Sequence, residues 1–194
     1  MGKQHWRGGN MLYPVPAVMV TTKDAAGTDN IITVAWVGTV CSDPAMLSIS
    51  VRKERHSHKA LTETKEFVVN LVTRDLTWAT DYCGVKSGRD VDKFADCHLT
   101  KQPSQKVAPC GIAESPVNIE CRVTQILPLG SHDLFLAEVV GVSVDEEYLD
   151  AKGRFALEET DLIAYSHGEY YALGDYIGKF GYSIQKKKRN PKKK

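Results

Sequence analysis

Apolar and polar positions alternate with a period of two along much of this chain. Leu47, Ile49 and Val51 alternate with Ser48 and Ser50, so residues 45–51 read as a strand with one apolar face and one hydroxyl face. Val117, Ile119, Cys121 and Val123 alternate with Asn118, Glu120 and Arg122, which predicts a strand with the first set pointing in and the second pointing out. Residues 15–22, 67–71 and 134–144 are further strand-like runs, and 162–165 and 170–173 form a last pair around His167-Gly168-Glu169. Residues 31–40 are nearly continuous in apolar character, which predicts a strand buried on both faces. Lys23-Asp24-Ala25-Ala26-Gly27 and Asp43-Pro44 punctuate the runs, and Leu129-Gly130-Ser131-His132-Asp133 reads as the turn of a hairpin.

Helical signals are short. Ser57 reads as the N-cap of a helix reaching about residue 65, and residues 75–82 read as a second helix. Residues 84–116 are polar and irregular, a length that marks a functional or packed segment. Many antiparallel strands with few short helices predict a mainly β fold, a barrel with helical decorations. Strands do not alternate with long helices and no G-x-G-x-x-G follows a strand, so a dinucleotide-binding doubly wound sheet is disfavoured.

The densest candidate chemistry lies where the third strand gives way to the first helix. Arg52, Arg55, Ser57 and His58 bring guanidinium, hydroxyl and imidazole groups to a strand end and a helix start, the set that holds a phosphate. The competing reading is a charged surface turn. Upstream, Asn30, Thr33 and Ser50 offer polar side chains and Ala35 leaves room for a flat ring; Trp36 either stacks near that ring or fills the barrel core. A phosphate cradle beside a ring platform points to a phosphorylated aromatic cofactor, flavin mononucleotide first. His132 in the hairpin turn either faces the open side of such a ring or is an idle loop histidine. Cys83 ends a helix and is either a buried thiol or a redox-active one. His56 and His58 lack further ligands nearby, so no metal is expected.

Charge narrows the partners. The net charge of +1 conceals seven Lys or Arg among the last nine residues; taking these from 25 leaves 18 basic against 24 acidic, a body near −6. The expectation is one domain over residues 1–184 followed by a basic tail, 185–194, with no nucleic-acid partner, because the body has no second basic patch. The five cysteines include no C-x-x-C pair, so neither a disulfide framework nor a zinc site is expected. No run approaches a membrane span and the first residues lack the apolar core of a secretory leader, so a cytoplasmic protein without membrane contact is expected.

The ordered motifs resemble the flavin reductase-like family, and within it the flavoredoxin group of FMN-binding split-barrel proteins. The resemblance rests on Tyr13-Pro14-Val15-Pro16-Ala17-Val18-Met19-Val20, on Asn30, Thr33, Ala35 and Trp36, and on Ser42-Asp43-Pro44. It continues through Ser50-Val51-Arg52, Arg55-His56-Ser57-His58, Phe67-Val68-Val69-Asn70, Ser87-Gly88-Arg89-Asp90-Val91-Asp92-Lys93-Phe94, Glu120-Cys121, Gly130-Ser131-His132-Asp133 and Gly168-Glu169-Tyr170-Tyr171.

The resemblance implies a Greek-key antiparallel split barrel that forms a homodimer with FMN near the interface. It implies that residues 30–36 line the isoalloxazine, that Ser50, Val51 and Arg52 meet the ribityl chain, and that Arg55, Ser57 and His58 hold the phosphate. It also implies that the loop over 87–94 closes over the flavin, with Lys93 reaching phosphate or substrate. Members that reduce flavin with a nicotinamide commonly carry Gly-Asp-His where this chain has Gly130-Ser131-His132, with its acid moved to Asp133. Both an electron carrier with bound FMN, fed by NADH, NADPH or a redox protein, and an NAD(P)H-dependent flavin reductase therefore stay open. An oxidase of pyridoxamine phosphate type would need a second phosphate site, and no second basic cluster supplies one.

Overall fold

The computed structural model describes residues 2–184. Its strands and helices run β1 (Val15–Pro16), β2 (Val18–Lys23), β3 (Asp29–Val34), β4 (Val37–Ser42), β5 (Ala45–Arg52), α1 (His56–Thr64), β6 (Glu66–Leu71), α2 (Thr77–Val85), α3 (Lys93–Asp96), β7 (Lys101–Gln102), β8 (Gly111–Ile112), β9 (Val117–Leu129), β10 (His132–Val144), β11 (Ile163–Ser166) and β12 (Glu169–Ala172). The expectation of a mainly β protein with short helices holds. Every strand pair is antiparallel. The basic tail expected over 185–194 lies outside the described residues.

The principal sheet has seven strands in the order β3-β2-β6-β9-β10-β5-β4. The run expected as one strand over 31–40 is two strands at opposite edges of this sheet, and its β4 half is an exposed edge rather than doubly buried. Only Ala35 and Trp36 separate them. Laid flat, six strand spacings of about 4.8 Å would hold the edges about 29 Å apart. The three Cα steps from Val34 to Val37 span at most about 11 Å. The sheet must therefore roll until its edges nearly meet, which brings β3 beside β5, while the bond from the Ser50 N–H to Trp36 O at 2.9 Å extends the β4–β5 ladder into the crossing.

Rolling creates two cores. Inside the barrel lie Val18, Val20, Ile32, Val34, Ile49, Val51, Phe67, Phe135 and Ala137, with Leu61 of α1 plugging one end. On the outer face Met19 and Ile31 meet Leu76 at the cap of α2, Ala79 and Cys83 within it, and Phe94 of α3. Alternation explains the division: Val18 and Val20 point in, Met19 points out, and all are buried because α2 and α3 cover the far side. A second sheet, in the order β1-β11-β12, lies beside the first.

The stretch expected to be irregular folds into α3 and the small β7–β8 hairpin, and it reverses one expectation. Asn118 and Glu120 do not point to solvent: their exposures are 7% and 2%. The Glu120 carboxylate accepts the N–H groups of Gln105 and Lys106, and Asn118 Nδ2 donates to Asn70 Oδ1 at 2.8 Å and to Ile112 O at 3.0 Å. The period-two pattern gave the side of the strand correctly, but not that a polar layer would cover it.

Asn70 joins three segments. Its Nδ2 donates to Met19 O at 2.9 Å, while its Oδ1 accepts from the Ile112 N–H and from Asn118. Asn70→Ala strips partners from buried polar groups, each worth about 1–3 kcal/mol. The variant should lose at least about 2 kcal/mol in urea-induced unfolding with its β-sheet circular dichroism retained.

Candidate functional site

The site grows from the end of β5. The chain turns with the Arg55 N–H bonded to Arg52 O at 3.1 Å, and α1 begins at His56. Arg55, not Ser57, is the capping position, in extended backbone and with no side-chain cap. The expected capping role of Ser57 gives way to a tertiary one. Ser57 is buried in the first turn, where its Oγ accepts from Asn30 Nδ2 at 2.7 Å and from Thr22 Oγ1 at 3.3 Å. This latch fixes the start of α1 against β3 and β2. The first N–H groups of a helix precede any intrahelical acceptor, so the backbone of His56 and Ser57 adds donors beside the Arg55 guanidinium.

Two cavities share Arg55 and Ile32 in their walls. The first, about 280 Å³, lies over Thr33, Ala35 and Trp36, with Ser50, Arg52 and His132 on its β5–β10 side and Asp81, Tyr165 and Tyr170 opposite. The second, about 290 Å³, is enclosed by Asn30, Arg55, His56 and Ser57 on one side and Ser87, Gly88, Arg89 and Lys93 on the other. The structure thus brings together residues scattered over five strands and three helices. The hydroxyl face read along β5 is the face turned to the first cavity: Ser50 and Arg52 lie opposite Leu134 and His132 across the ladder. Val51 points the other way into the barrel core, so it offers only backbone.

Trp36 lies outside both cores, half-buried at the cavity wall with its ring 6.1 Å from that of Tyr13. The core reading of Trp36 is corrected: the β3–β4 crossing carries its side chain out of the barrel. Thr33 spends its hydroxyl on Thr80 O. His132 is the first residue of β10 rather than part of the turn, and its Nδ1 lies 2.8 Å from Ser131 Oγ. Partial burial and the nearby Arg52 hold its pKa below the ordinary histidine value, so the ring is neutral at neutral pH.

Three expected residues are engaged elsewhere. Lys93 is buried, and its Nζ donates to Ile31 O at 2.6 Å and Cys83 O at 2.7 Å, while burial lowers its pKa. Cys83 is buried, and burial and the Cys97 thiol push its pKa up to about 12, so it is not a thiolate at neutral pH. His58 turns away from the cradle, with Nε2 2.8 Å from Asp133 Oδ2 and its ring edge-on to Phe135. Asp133 is thereby accounted for. It lies opposite Val51 on the inner side of β10, not on the His132 side.

Sequence reading missed Arg89, Asp81, Tyr165 and Tyr170 as lining residues. Arg89 stood in the quoted loop motif, and its Nη2 donates to Glu54 O at 3.2 Å across the cavity. Gly88 carries the strongest signal: an added Cβ would sit 2.1 Å from Asn30 Oδ1, so only glycine lets the loop approach this closely. Asp81 accepts from the Tyr170 hydroxyl at 3.2 Å, a pairing between α2 and β12 that no local pattern announces. Chemically, the arrangement offers a cationic, N–H-rich pocket for an anion joined to a slot walled by aromatic and small residues for a flat ring.

Comparison with known proteins gives the family and the fold of the chain. The family model described as a flavin reductase like domain matches residues 10–174. The structure is similar to that of the flavoredoxin of Desulfovibrio vulgaris (Miyazaki F), with 30% identity, 95% of this chain and 100% of that chain covered, and a TM-score of 0.87. It is similar also to a flavoredoxin from Methanosarcina acetivorans, at 27% identity with 95% and 100% covered and a TM-score of 0.83. In sequence the chain is 25% identical over 142 residues to the NADH:riboflavin 5'-phosphate oxidoreductase of Streptomyces pristinaespiralis, covering 73% of this chain and 78% of the relative.

The pairing of Asp133 sets a pH dependence. Burial raises the Asp133 carboxyl, but its hydrogen bond to His58 and the ammonium of Lys53 outweigh this and hold it below the usual carboxylate range. A depressed carboxylate stabilises the fold above its unfolded pKa, and that stability is lost as pH falls through the lower folded value. Asp133→Asn should therefore be less stable than the parent near neutral pH, with the gap closing in acid below pH about 4, as followed by urea midpoints across pH.

Proposed function

We propose, for a chain that belongs to the flavin reductase like domain family, that it is an FMN-binding redox protein passing electrons through bound flavin. The observation that carries the reading is the position of Arg55, at the head of α1 and in the wall of both cavities. Arg55, the first-turn N–H groups of α1 and Arg89 would hold the phosphate. The segment from Asn30 to Trp36 and the Ser50–Arg52 end of β5 would line the ring and its ribityl chain. Bound flavin supplies reversible one- and two-electron transfer. The protein's part is to bind, orient and shield. Trp36, Tyr165 and Tyr170 wall the slot against water. His132, neutral and with Nδ1 occupied by Ser131, keeps Nε2 as the nitrogen to orient a donor or exchange a proton at the cavity mouth.

A homodimer completes the reading. A groove lined by Met11, Leu12, Trp36 and Val37 adjoins the first cavity, sharing Ala35, Trp36 and Ser50 with it. Val40, Leu129 and Val142 are exposed by 51%, 51% and 57%. A second copy covering these apolar positions accounts for their exposure.

A second reading is favoured by the oxidoreductase relative, which is named for NADH: a reductase that takes hydride from a nicotinamide and releases reduced flavin. The displacement of the acid from the turn to Asp133 supports the carrier instead.

The purified protein should be yellow, or become so with added FMN, and light scattering should give twice the chain mass. Arg55→Ala should weaken FMN binding on the order of tenfold or more, the loss of charge-assisted hydrogen bonds, with the unfolding transition little changed. Stopped-flow mixing with NADH and NADPH and excess free FMN then separates the roles: bleaching that continues through the free flavin pool selects the reductase, and bleaching confined to the bound flavin, or none, selects the carrier. Protein that stays colourless with excess FMN would remove both.

A further inference from the structure

Two thiols stand beside the site without serving it. Cys83 lies in the last turns of α2 and Cys97 directly follows α3, and their sulfurs are 4.0 Å apart. They are the two ends of the segment that carries Ser87, Gly88, Arg89 and Lys93, the outer wall of the phosphate-side cavity. That wall is seated by contacts at the same ends. Gly88 packs on Asn30, and Lys93 Nζ ties Ile31 O to Cys83 O. The spacing of the two sulfurs and the position of the wall are therefore set together.

We propose that Cys83 and Cys97 form a reversible modification site, closing under peroxide to a disulfide that staples the 87–93 wall over the cavity and slows cofactor exchange. The effect on exchange rests on the flavin reading above; the disulfide does not. A disulfide holds its sulfurs at about 2.05 Å, so the pair must close by about 2 Å. Cys97 is half-buried and Cys83 fully buried, so peroxide meets Cys97 first. Cys97 is oxidised to a sulfenic acid with release of one water. The Cys83 thiol then displaces the hydroxyl, forming the S–S bond and a second water. One hydrogen peroxide and two thiols thus become one disulfide and two waters, and an external dithiol reverses the reaction. Burial raises both thiols above the ordinary cysteine value, so closure answers sustained peroxide rather than a brief pulse.

The test uses the full chain loaded with FMN. After exposure to excess peroxide, free thiols are alkylated and tryptic peptides are mapped by mass. Lys86, Arg89 and Lys93 lie between the two cysteines, so trypsin places them on separate peptides and a bridge is directly visible. The expected result is a Cys83–Cys97 bridge removed by dithiothreitol, with FMN dissociation slowed several-fold in the oxidised protein. Cys97→Ser should show neither change. Oxidation without that bridge, or a bridge with unchanged FMN release, would overturn the proposal. If the reduced protein takes up no FMN, the exchange half falls together with the flavin reading, while the peptide map still scores the bridge.

Discussion

Only Ala35 and Trp36 join the two outermost strands of the sheet, and that short crossing governs the architecture. Because the edges cannot separate, the seven strands are forced into a barrel that stays open along one seam. The seam is where β3 and β5 come together, and it is where the first cavity lies. Thr33, Ala35, Trp36 and Ser50 need not be gathered by long loops; the rolled sheet delivers them from backbone on either side of one gap.

The price of opening a site in the wall of a barrel is exposed backbone and polar side chains near the core. The structure meets this with paired polar groups rather than isolated ones. Asn70 and Asn118 satisfy one another and the β8 backbone, Glu120 holds the loop at 105–106, and Ser57 holds Asn30. Each set joins elements far apart in sequence, which favours one arrangement of the layers over looser alternatives. The same economy explains Lys93. A buried ammonium is costly alone, but two carbonyls from β3 and α2 make it a tie between the sheet and the loop that borders the cavity.

Much of this was legible in the sequence. The period-two runs placed the strands, and the cluster at residues 52–58 marked the turn that borders the candidate site because strand end, cations and helix start are all local signals. What escaped was tertiary. The apolar run over 31–40 concealed the crossing, since neither alanine nor tryptophan is a turn residue. Asn118 and Glu120 looked solvent-facing because alternation reports which side a residue faces, not what covers that side. Ser57 has the composition of a cap, yet its oxygen is claimed by Asn30 and Thr22. Asp81 and Tyr170 meet only because β12 returns beside α2.

The acid after His132 shows how strict the arithmetic of a strand is. Odd and even positions of β10 belong to different compartments: His132 and Leu134 accompany Arg52 and Ser50, whereas Asp133 and Phe135 accompany Val51 and Ile49. The acid stands two places beyond Ser131, so it has left the turn for the ladder, and with that move its solvent, its partners and the chemistry it can reach have changed. Relatedness judged by which residues a motif contains would treat the two arrangements as synonyms. Judged by place in the hairpin, turn against ladder, they give the acid different surroundings.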